Sequence, residues 1–236
     1  MPAPLVCLPG MMCDARLYEA VTARFSAERA IVHIPLTRGR TMTEIAQAVL
    51  DDAPPHFALL GLSMGGIVAM EVMRLAPERI TRLALLDTNP LAETPETAAL
   101  REPQIVAART GQLEKVMREE LKPRYLAPGP GRDGVLDRVM EMAVALGPDA
   151  FVRQSRALQK RPDQTETLKR IAVPTLVLCG RHDTLCDLRR HEFMRQLIPG
   201  SVLEVIEDAG HLPVLEQPEA TNAALARWMS DTLLLT

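Results

Sequence analysis

Short apolar runs alternate along the chain with longer segments whose apolar residues have helical spacing. The apolar runs lie at residues 5–8, 30–34, 57–60, 80–86, 175–180 and 202–206, and their length and composition predict buried strands. The helical patterns lie at residues 14–25, 43–53, 67–76, 188–197 and 218–235. This alternation predicts an α/β fold with a parallel sheet of about six strands, covered by helices on both faces.

The alternation breaks between residues 91 and 170. This stretch contains no strand-like run and has helical patterns at residues 97–110, 112–121, 135–146 and 150–160, with prolines and glycines clustered at 127–131. We expect residues 1–90 and 171–236 to form the core, and residues 91–170 to form a helical cap or lid inserted between two strands. The alternative is a set of ordinary extra helices packed beside the sheet.

The composition narrows the possible partners. A chain of 236 residues is long enough for one α/β domain with an insertion, and its 47% apolar and 24% charged residues are ordinary for a globular protein. Because aromatic residues make up only 3%, we expect aliphatic side chains and the 12 methionines to line any pocket. The formal net charge of −3 and the lack of a long basic run argue against nucleic acid or an anionic membrane as a partner.

The ends of the chain and its cysteines favour a cytoplasmic protein. Residues 1–4 lead directly into the first apolar run with no signal-like segment, and no apolar run approaches the length of a membrane span. Cys7, Cys13, Cys179 and Cys186 have neither zinc-finger spacing nor the density of a disulfide scaffold. We expect reduced thiols, with Cys7 and Cys179 buried in strands.

The most informative stretch joins the third strand to the next helix. Gly61-Leu62-Ser63-Met64-Gly65 is a G-x-S-x-G motif with a strand before it and a helix after it. A serine in this context can project from a sharp, strained turn, and its neighbours two residues away must then lack bulk. Ser63 is therefore a candidate nucleophile. The alternative is a glycine-rich turn with an incidental serine.

A serine nucleophile needs a base, and the base needs an acid to orient it. Asp183 follows the fifth predicted strand, and His211 follows the sixth. Both therefore lie just past the carboxyl ends of strands, where the sites of open α/β sheets gather. The order Ser63, Asp183, His211 along the chain is that of α/β-hydrolases and of no other common serine hydrolase fold.

The chain thus resembles the α/β-hydrolase family over nearly its whole length outside the insertion. The stretches that carry the resemblance are residues 8–12, 61–66, 180–183, 209–211 and 216–219. The resemblance implies Ser63 as nucleophile, His211 as general base and then acid, and Asp183 as orienting acid. It also implies an oxyanion hole made by the backbone N–H of Met64 and by one from the first strand–helix loop, where Met11 is expected and Met12 is possible.

Two departures from the family pattern affect the details. The family usually has a His-Gly pair before the second oxyanion donor, whereas this chain has Pro9-Gly10, which leaves a backbone donor available. The family's sheet usually begins with an antiparallel hairpin, which this chain lacks, so all of the roughly six strands are expected to be parallel. The family also tolerates the acid after an earlier strand, which keeps Asp87 as an alternative to Asp183.

The remaining acids and histidines have ordinary interpretations. Asp187 and Asp208 are expected to be loop or capping residues. The other histidines are expected to be an exposed loop residue at position 182, packed or solvated strand-edge residues at 33 and 56, and a surface residue of a charged helix at 191. They are dispersed, and no H-E-x-x-H motif is present, so we expect no metal and no cofactor.

The sequence therefore predicts a serine hydrolase that cleaves a carboxylic ester of a small molecule through an acyl-enzyme. Its trimmed layout is similar to that of microbial carboxylesterases of the pimeloyl-carrier methyl ester esterase group. A thioesterase, an enol-lactone hydrolase, a C–C bond hydrolase and a cofactor-free perhydrolase could use the same triad. A dehalogenase is disfavoured, since it would have Asp in place of Ser63. A non-catalytic ligand receptor of the same fold is a further alternative.

Overall fold

The computed structural model describes residues 2–121 and 125–230. Its strands are β1 (Leu5–Leu8), β2 (Ile31–His33), β3 (Phe57–Leu62), β4 (Ile80–Leu86), β5 (Thr175–Gly180) and β6 (Val202–Ile206). They form one six-stranded sheet in the order β2-β1-β3-β4-β5-β6, and every pair of neighbours is parallel. The prediction of about six parallel strands is confirmed, and strand positions agree with the apolar runs to within two residues.

The helices of the core are α1 (Glu19–Phe25), α2 (Met42–Asp52), α3 (Met64–Leu75), α8 (Leu188–Leu197), α9 (Pro213–Glu216) and α10 (Pro218–Met229). Those of the insertion and its end are α4 (Pro95–Ala107), α5 (Leu113–Lys115), α6 (Arg132–Gln159) and α7 (Thr165–Leu168), with π-helical turns at Ala108–Gln112 and Val116–Leu121. Helices α2, α3 and α8 contribute to the core on one face of the sheet, and α1 and α10 to that on the other.

The two faces of the sheet are built by alternate residues of each strand. In β3, Phe57 and Leu59 join the core on the α2–α3 side, whereas Ala58, Leu60 and Leu62 join the core on the α1–α10 side. All six residues of β3 are buried, as a strand covered on both faces must be. The sheet is thus packed between two apolar layers, and it positions the loops at its carboxyl edge.

Several predicted helix ends were wrong by a few residues. Helix α2 begins one residue before Thr43, because the Thr41 hydroxyl accepts a hydrogen bond from the Glu44 N–H and caps it. Asp14 does act as a cap, but the first turn after it is a 3₁₀ helix at Ala15–Tyr18. Helix α3 begins at Met64, three residues earlier than the apolar pattern indicates.

Among the described residues between 91 and 170, all regular elements are helical. The helices predicted at 135–146 and 150–160 both lie within α6, and a kink separates them at Gly147, which has a non-helical φ of 77° and precedes Pro148. The short helices α7 and α9 have no counterpart in the sequence prediction. The last helix was predicted to reach residue 235, and residues 231–236 lie outside the described part. Division of the chain into core and cap at residues 91 and 170 stays a prediction.

No helix in the described ranges is long and apolar enough to cross a membrane.

Candidate active site

The candidate nucleophile lies at a strained turn between β3 and α3. Ser63 has φ 55° and ψ −116°, a conformation that residues with a side chain rarely adopt. Its N–H donates to the Leu86 carbonyl at 2.9 Å, and its carbonyl accepts from the Thr88 hydroxyl at 2.7 Å. Residues at and just after the end of the neighbouring strand β4 therefore hold this turn in place.

The glycines around Ser63 are required by close backbone approach. A Cβ at Gly61 would lie 2.3 Å from the Gly65 carbonyl oxygen, and a Cβ at Gly65 would lie 2.0 Å from the Leu8 carbonyl oxygen. A Cβ at Gly66 would lie 2.6 Å from the Thr88 side chain. The turn thus packs directly against the end of β1, which brings the loop after β1 beside Ser63.

The three residues ordered as Ser63, Asp183 and His211 are joined by hydrogen bonds. Nε2 of His211 lies 2.8 Å from Ser63 Oγ, and Nδ1 of His211 lies 2.8 Å from Asp183 Oδ2. The His211 side chain is 2% exposed and that of Asp183 is fully buried. With Nδ1 donating to the carboxylate, Nε2 is left as the acceptor that can take the hydroxyl proton.

Asp183 is held as an ionised acid by its surroundings. Burial would raise its pKa, but attraction to His211 and hydrogen bonds to the carboxylate outweigh this and lower the pKa. Its Oδ1 accepts from the backbone N–H groups of Leu185 at 2.8 Å and Cys186 at 3.0 Å. Oδ1 is therefore hydrogen-bonded to the backbone, and Oδ2 accepts the hydrogen bond that orients His211.

Glu216 holds the loop that carries His211, a role that the sequence analysis did not assign. Its carboxylate accepts from the N–H groups on both sides of the histidine, at 3.0 Å from Gly210 and 2.9 Å from Leu212, and from Ala127 at 2.7 Å. The signal was present, because Glu216 opens the stretch 216–219 that contributes to the family resemblance. From the sequence, roles go only to the triad and to the oxyanion donors, so this acid was missed.

Asp87, the alternative acid, supports the loop that carries Asp183, whereas His211 is hydrogen-bonded to Asp183. It is fully buried at the end of β4, and its Oδ1 accepts from the Gly180 N–H at 2.8 Å. Its Oδ2 is buried without a hydrogen-bond partner in the described part of the chain. Burial and repulsion by Asp183 raise its pKa well above the usual range, which disfavours the ionised form of Asp87.

The expectation that His191 is a surface residue was wrong. Its side chain is fully buried, Nε2 accepts from the Thr88 N–H at 3.2 Å, and Nδ1 donates to the Asp187 carbonyl at 3.0 Å. Burial lowers its pKa, and the neutral ring fits both hydrogen bonds. Since Thr88 in turn binds the Ser63 carbonyl, His191 connects α8 to the strained turn.

The two residues expected to supply the oxyanion donors, Met11 and Met64, line the same cavity as Ser63. Met64 begins α3, and Met11 lies in the loop after β1 that packs on the turn. Neither backbone N–H is engaged in a hydrogen bond within the described ranges. The N–H of Met12 donates to Gln154 Oε1 at 2.9 Å, so this alternative donor is occupied. Met11 and Met64 remain the expected pair, as a proposal.

Gln154 attaches the insertion to the oxyanion loop and was not singled out from the sequence. It lies on α6 and is 1% exposed. Besides accepting from Met12, it donates from Nε2 to the Leu36 carbonyl at 3.0 Å. Met12 itself has φ 56°, a left-handed conformation that needs such support. A glutamine within a helical pattern gives no sequence signal of this role.

The candidate triad opens into a cavity of about 890 Å³. Met11, Ser63 and His211 line it together with residues of the insertion, among them Leu100 and Leu158. The Tyr125 ring contacts His211 edge-on, with ring centroids 5.1 Å apart and an interplanar angle of 67°. The cavity is large enough for a small organic ester, and its walls come from both core and insertion.

The other candidate residues lie away from this chemistry. Three of them are exposed: His182, His56 and Asp208. His33 is half-buried and is hydrogen-bonded to Thr22 at 2.9 Å, and Asp187 caps α8. Cys7, Cys13 and Cys179 are buried, and the described cysteines form no disulfide. The side chains of Asp183, Cys186 and His211 have possible metal-ligand atoms within 4.8 Å of one another. Both His211 nitrogens, however, are already engaged in hydrogen bonds with Asp183 and Ser63.

Comparison with known proteins agrees with this geometry. The model of the "Alpha/beta hydrolase family" matches residues 5–224. The pimeloyl-(acyl-carrier protein) methyl ester esterase of Photobacterium profundum is 31% identical over 186 residues, 76% of this chain and 72% of that protein. The esterase of the same name from Aromatoleum aromaticum is 28% identical over 193 residues, 77% of each chain. A solved structure, the malate-bound thermophilic esterase from Thermogutta terrifontis, superposes with a TM-score of 0.88 and 28% identity, covering 97% of this chain and 90% of its own.

Proposed function

Since the chain belongs to the alpha/beta hydrolase family and is an ester-hydrolysing enzyme, we propose that it acts as a serine hydrolase through an acyl-enzyme. The observation that carries this proposal is the continuous hydrogen-bonded path from Ser63 Oγ through His211 to Asp183, with 2.8 Å at each step. Ser63 is the nucleophile, His211 the base and Asp183 the orienting acid. Such a path gives a weak hydroxyl nucleophile the base that it needs.

The first half of the reaction acylates the enzyme. Ser63 Oγ attacks the ester carbonyl carbon while His211 Nε2 takes the hydroxyl proton. The carbonyl oxygen becomes an oxyanion that the N–H groups of Met11 and Met64 stabilise. Collapse of this intermediate breaks the bond to the alkoxy oxygen, and His211 gives its proton to the departing alcohol. The acyl group is then bonded to Ser63 Oγ.

The second half releases the acid. Water takes the place of the alcohol, gives a proton to His211 Nε2 and attacks the acyl carbon. The same two N–H groups hold the second oxyanion, whose collapse breaks the bond to Ser63 and returns the proton to Oγ. Asp183 stays ionised throughout and stabilises the imidazolium formed in each half. The steps consume one water and require no metal or cofactor.

The substrate is proposed to be a small-molecule carboxylic ester. The cavity that holds Ser63 has room for a group of this size, and the insertion between residues 91 and 170 supplies much of its wall. The relatives from P. profundum and A. aromaticum are named for a methyl ester, and on this likeness we propose a small alcohol part. We also propose a cytoplasmic location and no nucleic-acid partner, in line with the cysteine chemistry and the net charge of −3.

The proposal is tested by turnover of p-nitrophenyl acetate. Ser63→Ala should lower kcat by about 10³-fold or more, because the nucleophile is lost while the fold is kept. The control is Ser26→Ala at an exposed serine that follows α1, which should retain wild-type kcat. Thermal unfolding of both variants checks that the fold is intact. Wild-type turnover by a folded Ser63→Ala enzyme would contradict the proposal.

A further inference from the structure

The cavity beside Ser63 has three arginines in its wall. Arg101 lies on α4, Arg161 follows α6, and Arg190 lies on α8. They come from the insertion, from the segment after α6 and from the core, and they meet at a single cavity that also exposes Ser63 and His211. An esterase for an uncharged substrate has no need of such a group.

One buried carboxylate neutralises only part of this charge. Glu93 is 2% exposed and pairs with both Arg101, 18% exposed, and Arg161, 10% exposed. Arg101 Nε lies 2.9 Å from Glu93 Oε2, and Arg161 Nη1 lies 3.4 Å from Glu93 Oε1. Two guanidinium groups share one carboxylate, which leaves one unit of positive charge in this part of the wall.

The third arginine has a neutral partner. Arg190 Nη1 donates to Asn89 Oδ1 at 3.2 Å, and this is the side-chain hydrogen bond that Arg190 makes among the described residues. An asparagine oxygen fixes the guanidinium without cancelling its charge, and it leaves most of the five N–H donors of Arg190 available. The wall therefore carries a second unit of positive charge.

The acids on the other side of the cavity are weaker partners. Glu119 and Glu120 also line it, but both are exposed, and Glu120 already accepts from Gln104 Nε2 at 3.2 Å. Charges in contact with solvent are screened, whereas Arg161 is so enclosed that burial lowers its pKa, although a guanidinium stays protonated. Electrostatic attraction therefore stabilises an anion beside the enclosed arginines more than a cation beside the exposed acids.

The arginines line the same cavity as the reacting groups. Cys186 has its sulfur within 4.8 Å of Asp183 and His211 ligand atoms. This cysteine also lines the cavity, together with Arg161 and Arg190. A substrate bonded at Ser63 can thus extend from the candidate triad to the arginines within the same cavity.

We propose that the natural substrate is an ester that also carries an anionic group, a carboxylate or a phosphate, and that Arg161 and Arg190 bind this group while Ser63 faces the ester carbonyl. The inference rests on the proposed function, since it assigns the substrate class of that site. Glu93 and Asn89 position the two guanidinium groups. Binding at the remote charge orients the ester and selects against neutral esters of the same length.

A charge series on one carbon chain tests the proposal. The substrates are monomethyl adipate, methyl 6-(phosphonooxy)hexanoate, methyl 6-hydroxyhexanoate and methyl 6-aminohexanoate, and monomethyl esters from glutarate to suberate vary the length. We expect kcat/KM for the better anionic ester to exceed that for the hydroxyl ester by about tenfold or more, the gain typical of a hydrogen-bonded charge pair. The carboxylate and phosphate arms identify which anion is preferred.

Variants assign the preference to the arginines. Arg190→Gln and Arg161→Gln should each lower the ratio of anionic to neutral kcat/KM towards one. Arg190 makes one side-chain hydrogen bond in the described part, so its variant is expected to fold even if the enclosed Arg161 proves necessary for stability. The matched control is Arg109→Gln, an exposed position of the insertion outside the cavity, which should leave the ratio unchanged.

Calorimetric titration separates this inference from the proposed function. Monomethyl adipate, or the phosphate ester if that arm is preferred, should bind Ser63→Ala about tenfold more weakly once Arg190→Gln is added. If the wild type does not hydrolyse these esters but the tenfold difference in binding is observed, the serine mechanism is refuted and the anion-binding inference stands. A ratio near one at every chain length, a preference for the amino ester, or ratios and affinities unchanged in both arginine variants would overturn the inference.

Discussion

At the scale of single residues, the strained turn at Ser63 depends on glycines that have no room for a side chain. The Cβ added at Gly65 would lie 2.0 Å from the Leu8 carbonyl oxygen, which belongs to a strand buried on both faces and cannot move freely. Gly65 is thus required by contact between the start of α3 and the end of β1, and Gly61 by contact with Gly65 across the turn. This is why the motif could be interpreted from sequence, once a strand before it and a helix after it were recognised.

Gly65→Ala should therefore lower both stability and activity. We expect a loss of several degrees or more in Tm, because the contact forces the turn away from β1. The matched control is Gly134→Ala in α6, where an added Cβ meets nothing within 4 Å and the helix should gain roughly 0.5–1 kcal/mol. Thermal unfolding measures both changes. A Gly65→Ala protein as stable as the wild type would contradict the packing argument.

The two candidate acids differ in the charge they can hold. Asp183 has its carboxylate stabilised by His211 and two backbone N–H groups, whereas Asp87 is buried, has a raised pKa and accepts from the Gly180 N–H. From the sequence both acids follow a strand, and nothing in their neighbours distinguishes an ionised carboxylate from a protonated one. That distinction needs the burial and hydrogen bonds of the folded chain.

Asparagine at each position separates the two acids. Asp183→Asn should lower kcat by about 10³–10⁴-fold, because the amide cannot stabilise the imidazolium. Asp87→Asn should keep kcat within a fewfold of the wild type, since the amide oxygen can still accept from the Gly180 N–H. The measurement is p-nitrophenyl acetate turnover by both variants. Full activity of Asp183→Asn together with loss in Asp87→Asn would reverse the assignment.

At the scale of elements, α6 reaches from the insertion to the oxyanion loop. Gln154 binds the Met12 N–H and the Leu36 carbonyl, so one side chain joins the insertion to two loops of the core. The helix itself could be predicted from its apolar spacing. Its kink at Gly147 and its contact with the loop after β1 could not, because both depend on packing across residues distant in sequence.

Gln154→Ala should lower kcat more than it raises KM. Removal of the amide leaves the buried Met12 N–H without its partner, a cost of about 1–3 kcal/mol, and loosens the neighbouring Met11 donor. The control is Gln112→Ala, an exposed position of the same insertion. The measurement is the kcat and KM of both variants on a neutral ester. An unchanged kcat in folded Gln154→Ala would show that the contact does not position the oxyanion loop.

At the scale of the whole molecule, the parallel sheet explains why sequence order was informative. Ser63, Asp87, Asp183 and His211 follow four neighbouring strands, β3 to β6, and all parallel strands end at the same edge. Residues at strand ends are thereby gathered without knowledge of their side-chain contacts. The arginine cluster could not be found in this way, because its members lie on helices and loops with no strand-like pattern to place them.

The raised pKa of buried Asp87 also makes the stability of the whole molecule depend on pH. Its pKa is raised in the folded protein, so the folded state binds more protons than the unfolded state above about pH 4. Stability from this group is therefore lost as pH rises, by up to about 1.4 kcal/mol per pH unit until the raised pKa is passed. Asp183 has the opposite sign, since its lowered pKa contributes stability that is lost only in acid.

Asp87→Asn should remove the first of these two dependences. The Tm of the variant relative to the wild type is expected to increase between pH 5 and pH 8, because only the wild type must keep a carboxyl group protonated. Calorimetric unfolding across this range is the measurement. Parallel Tm curves for the two proteins would show that Asp87 has no raised pKa in the folded state.

If Ser63 is the nucleophile of an acyl-enzyme, a reagent that phosphonylates activated serines should label it covalently. Wild-type protein is treated with a fluorophosphonate, and the modified peptide is identified by mass spectrometry. The account predicts one phosphonyl group on Ser63, formed at a rate that falls sharply in His211→Ala and disappears in Ser63→Ala. Wild-type protein that hydrolyses esters without an adduct on Ser63, or with the adduct on another residue, would contradict it.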